Sequence, residues 1–168
     1  CIRFEIEIHG LNPEMSAEEF KEISNAFNGR ENGYLNNGLE NHDNYYMKRV
    51  YLGCVRSIDL LTSLPEWDGK NVIVQGGSQG GALALITAGL DSRVTACVAN
   101  HPALSDMAGY KAGRAGGYPH FFRVEGMDTP DKLKTMAYYD VVNFARMIKV
   151  PTYITWGYND DTCPPTTS

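Results

Sequence analysis

The stretch Asn71-Val-Ile-Val-Gln-Gly-Gly-Ser78-Gln-Gly-Gly-Ala-Leu-Ala-Leu85 decides how the rest of the chain is read. It opens on a β-branched apolar run, Val72, Ile73 and Val74, of the kind that forms a buried parallel strand. It closes on Ala82, Leu83, Ala84, Leu85 and Ile86, which read as a buried helix. Between the two lies Gly76-Gly-Ser78-Gln-Gly80, a G-x-S-x-G pattern in strand–turn–helix context. A serine at the tip of such a turn sits on strained backbone, and glycine at 76 and 80 removes side chains that would collide there. The backbone N–H of Gln79, opening the helix, points to where an oxyanion would form. A glycine-rich turn with an idle serine is the bland alternative; the strand and helix on its flanks favour a nucleophile.

A chain of 168 residues suffices for one domain with a real core. Its charge is mildly acidic, 20 Asp plus Glu against 15 Lys plus Arg, with no basic cluster to neutralise phosphates. Nucleic acid is therefore not an expected partner. Nor is a membrane, because no apolar run approaches the ~18 residues a span requires. The four cysteines, Cys1, Cys54, Cys97 and Cys163, are far apart and form no C-x-x-C pair. They read as small apolar core residues, neither a disulfide framework nor a zinc site. The chain begins inside a strand-like run, so sequence upstream is expected and the compartment is not legible.

Outward from the serine, the pattern extends in both directions. Ile2, Phe4, Ile6 and Ile8 alternate with Arg3, Glu5, Glu7 and His9, which predicts a strand ending at Gly10 with a turn at Pro13. Ser16-Ala-Glu-Glu19 is a capping box, opening a helix over about 17–26. Residues 28–44 are rich in Asn and Gly and predict a long surface excursion, functional or family-specific by its length. Met47, Val50, Tyr51, Cys54, Val55, Ile58 and Leu61 form one helical stripe, with Asp43 or Asn44 as cap and Pro65 as stop. Trp67-Asp68-Gly69 turns the chain into the central strand. After it come a helix ending near Gly89 and a buried strand over 94–99. Residues 101–138 break the rhythm and read as a segment inserted over the top of the sheet, with a short helix opening at Thr129-Pro130-Asp131. A last strand runs from Val150 to Trp156 and leads into Asp160-Asp-Thr-Cys163-Pro-Pro165. This order predicts right-handed βαβ units in a parallel sheet.

A serine nucleophile needs a base within hydrogen-bond reach and a carboxylate to orient that base. Asp160 and Asp161 follow the end of a strand, where open α/β sheets place functional groups; a turn role beside Pro164 is the alternative for either. No histidine follows Asp161, and His9, His42, His101 and His120 all precede it. For each of the four a structural or surface role is expected, because the order Ser, acid, His is broken.

Three separated motifs in order carry a resemblance: Gly76-Gly-Ser-Gln-Gly-Gly81, Tyr138-Tyr-Asp140-Val-Val-Asn143-Phe-Ala145 and Asp160-Asp-Thr-Cys163-Pro-Pro165. Together with the helix Tyr45-Tyr-Met-Lys-Arg-Val-Tyr51 they resemble the acetyl xylan esterase and cephalosporin C deacetylase family, over roughly residues 40–165. The resemblance implies an α/β-hydrolase: a mostly parallel sheet with helices on both faces, here incomplete, lacking N-terminal strands and the C-terminal strand with its His loop. It implies a single partial domain over 1–168 with a cap-like insertion at about 101–138. It implies that Ser78 is the nucleophile, Asp160 the triad acid and Gln79 one oxyanion donor, with neither metal nor organic cofactor. The substrate it implies is a small ester or an acetylated carbohydrate such as acetylated xylan, and the assembly a homo-oligomer. The family has Arg-Gly-Gln-Gly where this chain has His9-Gly10-Leu11-Asn12. Its second oxyanion donor would lie upstream of residue 1 and its catalytic histidine downstream of residue 168. A serine peptidase, a dienelactone-hydrolase relative, or a catalytically silent binding domain on the same sheet are the rival readings.

These 168 residues alone are therefore expected not to hydrolyse esters at an enzymic rate. Losing the base of a triad costs ~10⁶ in turnover where it has been measured, and losing one oxyanion donor roughly 2.7–4 kcal/mol. The check is p-nitrophenyl acetate hydrolysis by residues 1–168 beside their Ser78→Ala variant. Clear Ser78-dependent turnover would assign the base to His101 or another resident histidine.

Overall fold

The computed structural model describes residues 2–9, 14–26 and 33–167. The expected turn at Gly10 and Pro13, the start of the excursion at 28–32 and Cys1 lie outside them. Three parallel strands form one sheet in the order β1-β2-β3: β1 (Ile73–Gly77), β2 (Ala96–Asn100) and β3 (Thr152–Thr155). Val74 stands beside Cys97 and Gly76 beside Ala99, and Ala99 in turn beside Ile154. Helix α4 (Gln79–Leu90) packs on β1 and β2. It is apolar all round and buried from Gly81 to Ala88 because α3 (Tyr46–Ser63) and α6 (Val141–Ala145) lie against it as well. The sheet face bearing Val74, Cys97 and Ile154 joins the core. The opposite face carries Ile73 and Tyr153, both exposed. The described helices thus account for one of the two covered faces expected, and Ile73 is not the buried strand residue its β-branched run predicts.

The other helices follow their sequence signals closely. In α1 (Ala17–Ala26) the Ser16 N–H donates to Glu19 Oε2 at 2.9 Å and the Glu19 N–H to Ser16 Oγ at 3.3 Å, closing the capping box. Helix α3 buries Met47, Val50, Tyr51, Cys54 and Ile58 as its stripe requires. Its N-cap, however, is Tyr45, with no side-chain hydrogen bond, and not Asp43 or Asn44. Asp43 is occupied by Lys48 one turn on, at 3.2 Å. The far end of α3 is tied to the loop after α4 by Arg93, whose guanidinium donates to Asp59 at 2.6 Å, Thr62 at 3.2 Å and Asp91 at 2.5 Å. That guanidinium holds the Asp91 carboxyl below the usual carboxylate range. Cys54, Cys97 and Cys163 are free and buried, as core residues should be, and burial pushes the Cys54 and Cys97 thiols up to about 11.

Two segments depart from expectation. Residues 2–9 pair with no described strand, residues 8 and 9 form a turn, and Phe4 and Ile6 stay exposed. Arg3 and Glu5 form an ion pair with each other. The alternation is real, but a strand is defined by its partner, and no described strand lies beside it. Residues 33–44, expected on the surface, instead contribute α2 (Gly33–Asn36) and two fully buried leucines, Leu35 and Leu39.

The segment 101–139 contains 3-10 turns at Met107–Ala112 and Phe121–Arg123 and then α5 (Pro130–Tyr139), with Pro130 at its first position. Met107, Phe121 and Phe122 belong to the common core. Asp140 fastens this segment. Its carboxylate caps α6 through the Val142 N–H at 3.1 Å and accepts the N–H groups of Asp106 and Met107 at 2.9 and 2.8 Å.

Sterics at the end of β1 explain why a strand can turn straight into α4. A Cβ added at Gly76 would stand 2.2 Å from the Gly80 carbonyl carbon and 2.3 Å from its oxygen. A Cβ added at Gly80 meets nothing within 4 Å. The expectation that both glycines are required by collision thus holds for Gly76 and is corrected for Gly80, whose backbone is the obstacle and whose own side-chain direction is open. Gly76→Ala is expected to cost at least about 3 kcal/mol of stability, since two backbone segments must separate. Gly80→Ala should stay within about 1 kcal/mol of wild type, helix propensity working in its favour. Thermal unfolding of the two variants in the full-length protein reads the contrast.

Candidate active site

Ser78 sits between β1 and α4 at φ 51°, ψ −119°, a backbone conformation that L side chains rarely adopt. Three hydrogen bonds hold it there. Its N–H donates to the Asn100 carbonyl at 2.9 Å, and its own carbonyl accepts from Ala82 at 3.0 Å and Ala103 at 3.1 Å. The turn is thereby clamped to the end of β2 and the chain beyond it. Gln79 begins α4, so its N–H has no acceptor within the helix and lies beside the serine.

The loop after β3 reaches the same end of the sheet. The Asp160 N–H donates to the Gly157 carbonyl at 3.1 Å, and Asp160 Oδ1 accepts from Thr162 at 3.0 Å and Cys163 at 2.8 Å. One carboxylate oxygen is thus spent on fixing the loop, and Oδ2 has no hydrogen-bond partner among the described residues. Asp161 is exposed, its nearest polar contact the Thr162 hydroxyl at 3.4 Å. The Cys163 thiol is buried against the Ser78 side chain; burial, with the Asp160 charge adding to it, pushes that thiol up. It therefore stays protonated at neutral pH and offers no thiolate in competition with the hydroxyl. Composition placed Cys163 in the core, which is correct, but gave no sign that it joins Ser78 to the Asp160 loop.

The histidines separate by environment. His101 follows β2 at φ 36°, its N–H donating to the Thr155 carbonyl at 2.6 Å, and its exposed ring lies 3.6 Å from where a Gly77 Cβ would stand. His120 faces the Asp160 loop, and burial with the Arg123 charge holds its imidazolium below the ordinary histidine range. Its Nδ1 is buried without a hydrogen-bond partner among the described residues. His42 stacks on Tyr138, the ring centroids 4.4 Å apart. His9 lies 3.5 Å from the Gln79 amide, Nε2 to Nε2, and Tyr34 donates its phenol O–H to Gln79 Oε1 at 2.8 Å. Neither His9 nor Tyr34 was legible as a neighbour of the serine. The sole signal was the length of the excursion that carries Tyr34.

A serine on a strained strand-to-helix turn, the first N–H of a helix and a carboxylate with one oxygen spent lie at one end of a parallel sheet, an arrangement suited to acyl transfer. The family model described as acetyl xylan esterase (AXE1) matches residues 3–168. Acetyl esterase Axe7A of Xylanibacter ruminicola is 75% identical over 167 residues, covering 99% of this chain and 38% of that protein. The solved acetyl xylan esterase of Paenibacillus sp. R4 superposes with a TM-score of 0.71 at 35% identity, covering 80% of this chain and 45% of its own. Acetyl xylan esterase 1 of Thermoanaerobacterium sp. JW/SL YS485 does so with a TM-score of 0.71 at 29% identity, covering 82% and 46%. The chain thus spans less than half the length of each relative, and it belongs to the acetyl xylan esterase family.

Proposed function

We propose that the full-length protein is a serine esterase that removes acetyl or other short acyl groups from an alcohol, with an acetylated carbohydrate such as acetylated xylan as substrate. The observation that carries this reading is the backbone of Ser78. Holding a residue at φ 51° is costly, and three hydrogen bonds and a side-chain-free Gly76 are arranged to hold it. The relatives' names supply the substrate class.

In this reading Ser78 Oγ attacks the ester carbonyl while a histidine takes its proton. The carbonyl oxygen becomes an oxyanion that accepts the Gln79 N–H. Collapse expels the alcohol, protonated by the same histidine, and leaves an acyl-serine. A water activated by that histidine then releases acetate. Asp160 orients the imidazole through Oδ2, its Oδ1 being already bonded to two backbone N–H groups. Asp161, exposed and turned to Thr162, is the weaker candidate. In the serine–acid–histidine order of this reading the base follows Asp160, in the part of the protein beyond the share of its relatives that this chain spans. The segment 101–138 acts as a cap that selects substrate, and identical subunits assemble. No step calls for a metal or cofactor.

Two measurements on the full-length protein test the roles. A serine-directed phosphonate is expected to label Ser78, located by mass spectrometry; labelling of another serine with loss of activity overturns the nucleophile. Asp160→Asn is expected to lower turnover by ~10⁴, as a disrupted triad acid does, and Asp161→Asn by far less. The reverse ranking moves the acid to Asp161.

A further inference from the structure

The side chain of Gln79 has two partners from segments with no evident part in the chemistry. Its amide oxygen accepts the Tyr34 O–H from α2 at 2.8 Å, and its amide nitrogen faces Nε2 of His9, in the turn at residues 8–9, at 3.5 Å. His9 Nδ1 is in turn 3.0 Å from the Tyr46 hydroxyl at the start of α3. The three rings are packed on one another: the centroids of His9 and Tyr34 are 4.1 Å apart, and those of Tyr34 and Tyr46 5.8 Å.

Donor and acceptor counting fixes the direction of the chain of bonds. With Oε1 taken by the Tyr34 phenol, the Gln79 nitrogen presents only hydrogens to His9, so His9 Nε2 must be the acceptor. The imidazole is then neutral, with its proton on Nδ1 donated to the Tyr46 oxygen. Its surroundings agree. Burial, the largest influence, holds His9 below the ordinary histidine range, and the Arg49 charge acts in the same sense, while the Glu7 charge and the contact with Gln79 oppose it without reversing it.

We propose that Tyr34 and His9 are positioning residues for the oxyanion donor, holding Gln79 by its side chain so that its backbone N–H keeps one direction. The proposal rests on the esterase reading above. The first peptide of a helix is its least restrained, because its N–H makes no intrahelical bond. The residue that carries this N–H is here anchored at its far end by two groups from two other elements. The anchoring matters only as the oxyanion forms, so its loss should appear in kcat and leave substrate binding unchanged.

The test uses the full-length protein with p-nitrophenyl acetate. Wild type beside Ser78→Ala comes first; turnover that does not depend on Ser78 removes the esterase reading, and the proposal with it. With Ser78-dependent turnover in hand, Tyr34→Phe and His9→Leu are each expected to lower kcat about tenfold with KM within about twofold. That is less than the ~10²–10³ of losing a donor outright. His9→Gln, whose amide oxygen can take the place of Nε2 as acceptor, should recover most of the loss. In a Gln79→Ala background, adding Tyr34→Phe or His9→Leu should lower kcat no further, since the side chain they act through is gone. Losses that add fully in that background, or that fall on KM alone, overturn the proposal even though the esterase reading stands. His9→Gln failing to recover activity while its melting temperature matches wild type overturns it for His9.

Discussion

Gly76 lies so close to the Gly80 peptide that no side chain fits between them. The close approach lets a strand turn into a helix without a loop, which leaves Ser78 alone at the tip. Its positive φ follows from the same geometry, and that strain must be held by bonds from outside the turn. Asn100 and Ala103 provide them, so the elbow depends on β2 ending where it does. The register that sets Gly77 beside Asn100 is therefore part of the site as well as of the sheet. Helix α4 belongs to the same constraint. From Gly81 onward α4 is buried against the sheet, α3 and α6 together, so the helix that follows the turn is fixed in place.

The Asp160 loop is built on a different principle. It has no strand to hold it after Thr155, and it orders itself by folding backbone N–H groups onto Asp160 Oδ1. A carboxylate suits this task because it has four lone pairs on two oxygens, and one oxygen can be spent while the other stays available. Cys163 closes the arrangement, since its N–H binds Asp160 and its thiol packs against Ser78. Sulfur is large enough to fill that space and too weak a hydrogen-bond partner to compete for the serine's proton.

What was legible in the sequence was what is decided locally. The elbow needs glycine at one position and a serine two residues on, the capping box needs Ser16 and Glu19, and the α3 stripe needs only its own periodicity. Asp160 was distinguished from Asp161 only by the family resemblance, since adjacent residues of one type carry no internal contrast. What depends on distant partners was misread. Leu35 and Leu39 stand among Asn and Gly, so their composition signals solvent, yet both are fully buried beneath residues far along the chain. The alternating run at 2–9 carries a strand's pattern without a partner strand beside it. The α3 cap went to Tyr45, whose ring the core needs, because burial of an aromatic outweighs a surface hydrogen bond. Tyr34 escaped notice for the same reason: its value lies in reaching Gln79 across 45 residues of sequence.

Asp140 shows how a motif can be diagnostic without being catalytic. It lies in the Tyr138-Tyr-Asp segment that marks the family, and its carboxyl is pushed up by burial even though three backbone N–H groups pull the other way. Burying a carboxylate is unfavourable unless its oxygens are occupied, and here both are: Oδ1 by Asp106 and Val142, Oδ2 by Met107. An asparagine would turn an NH₂ group toward one of those N–H donors, and an unpaired buried donor costs about 1–3 kcal/mol. The charge requirement is therefore geometric, two acceptor oxygens where an amide has one. By holding the backbone of Asp106 and Met107, Asp140 ties the segment after β2 to the start of α6.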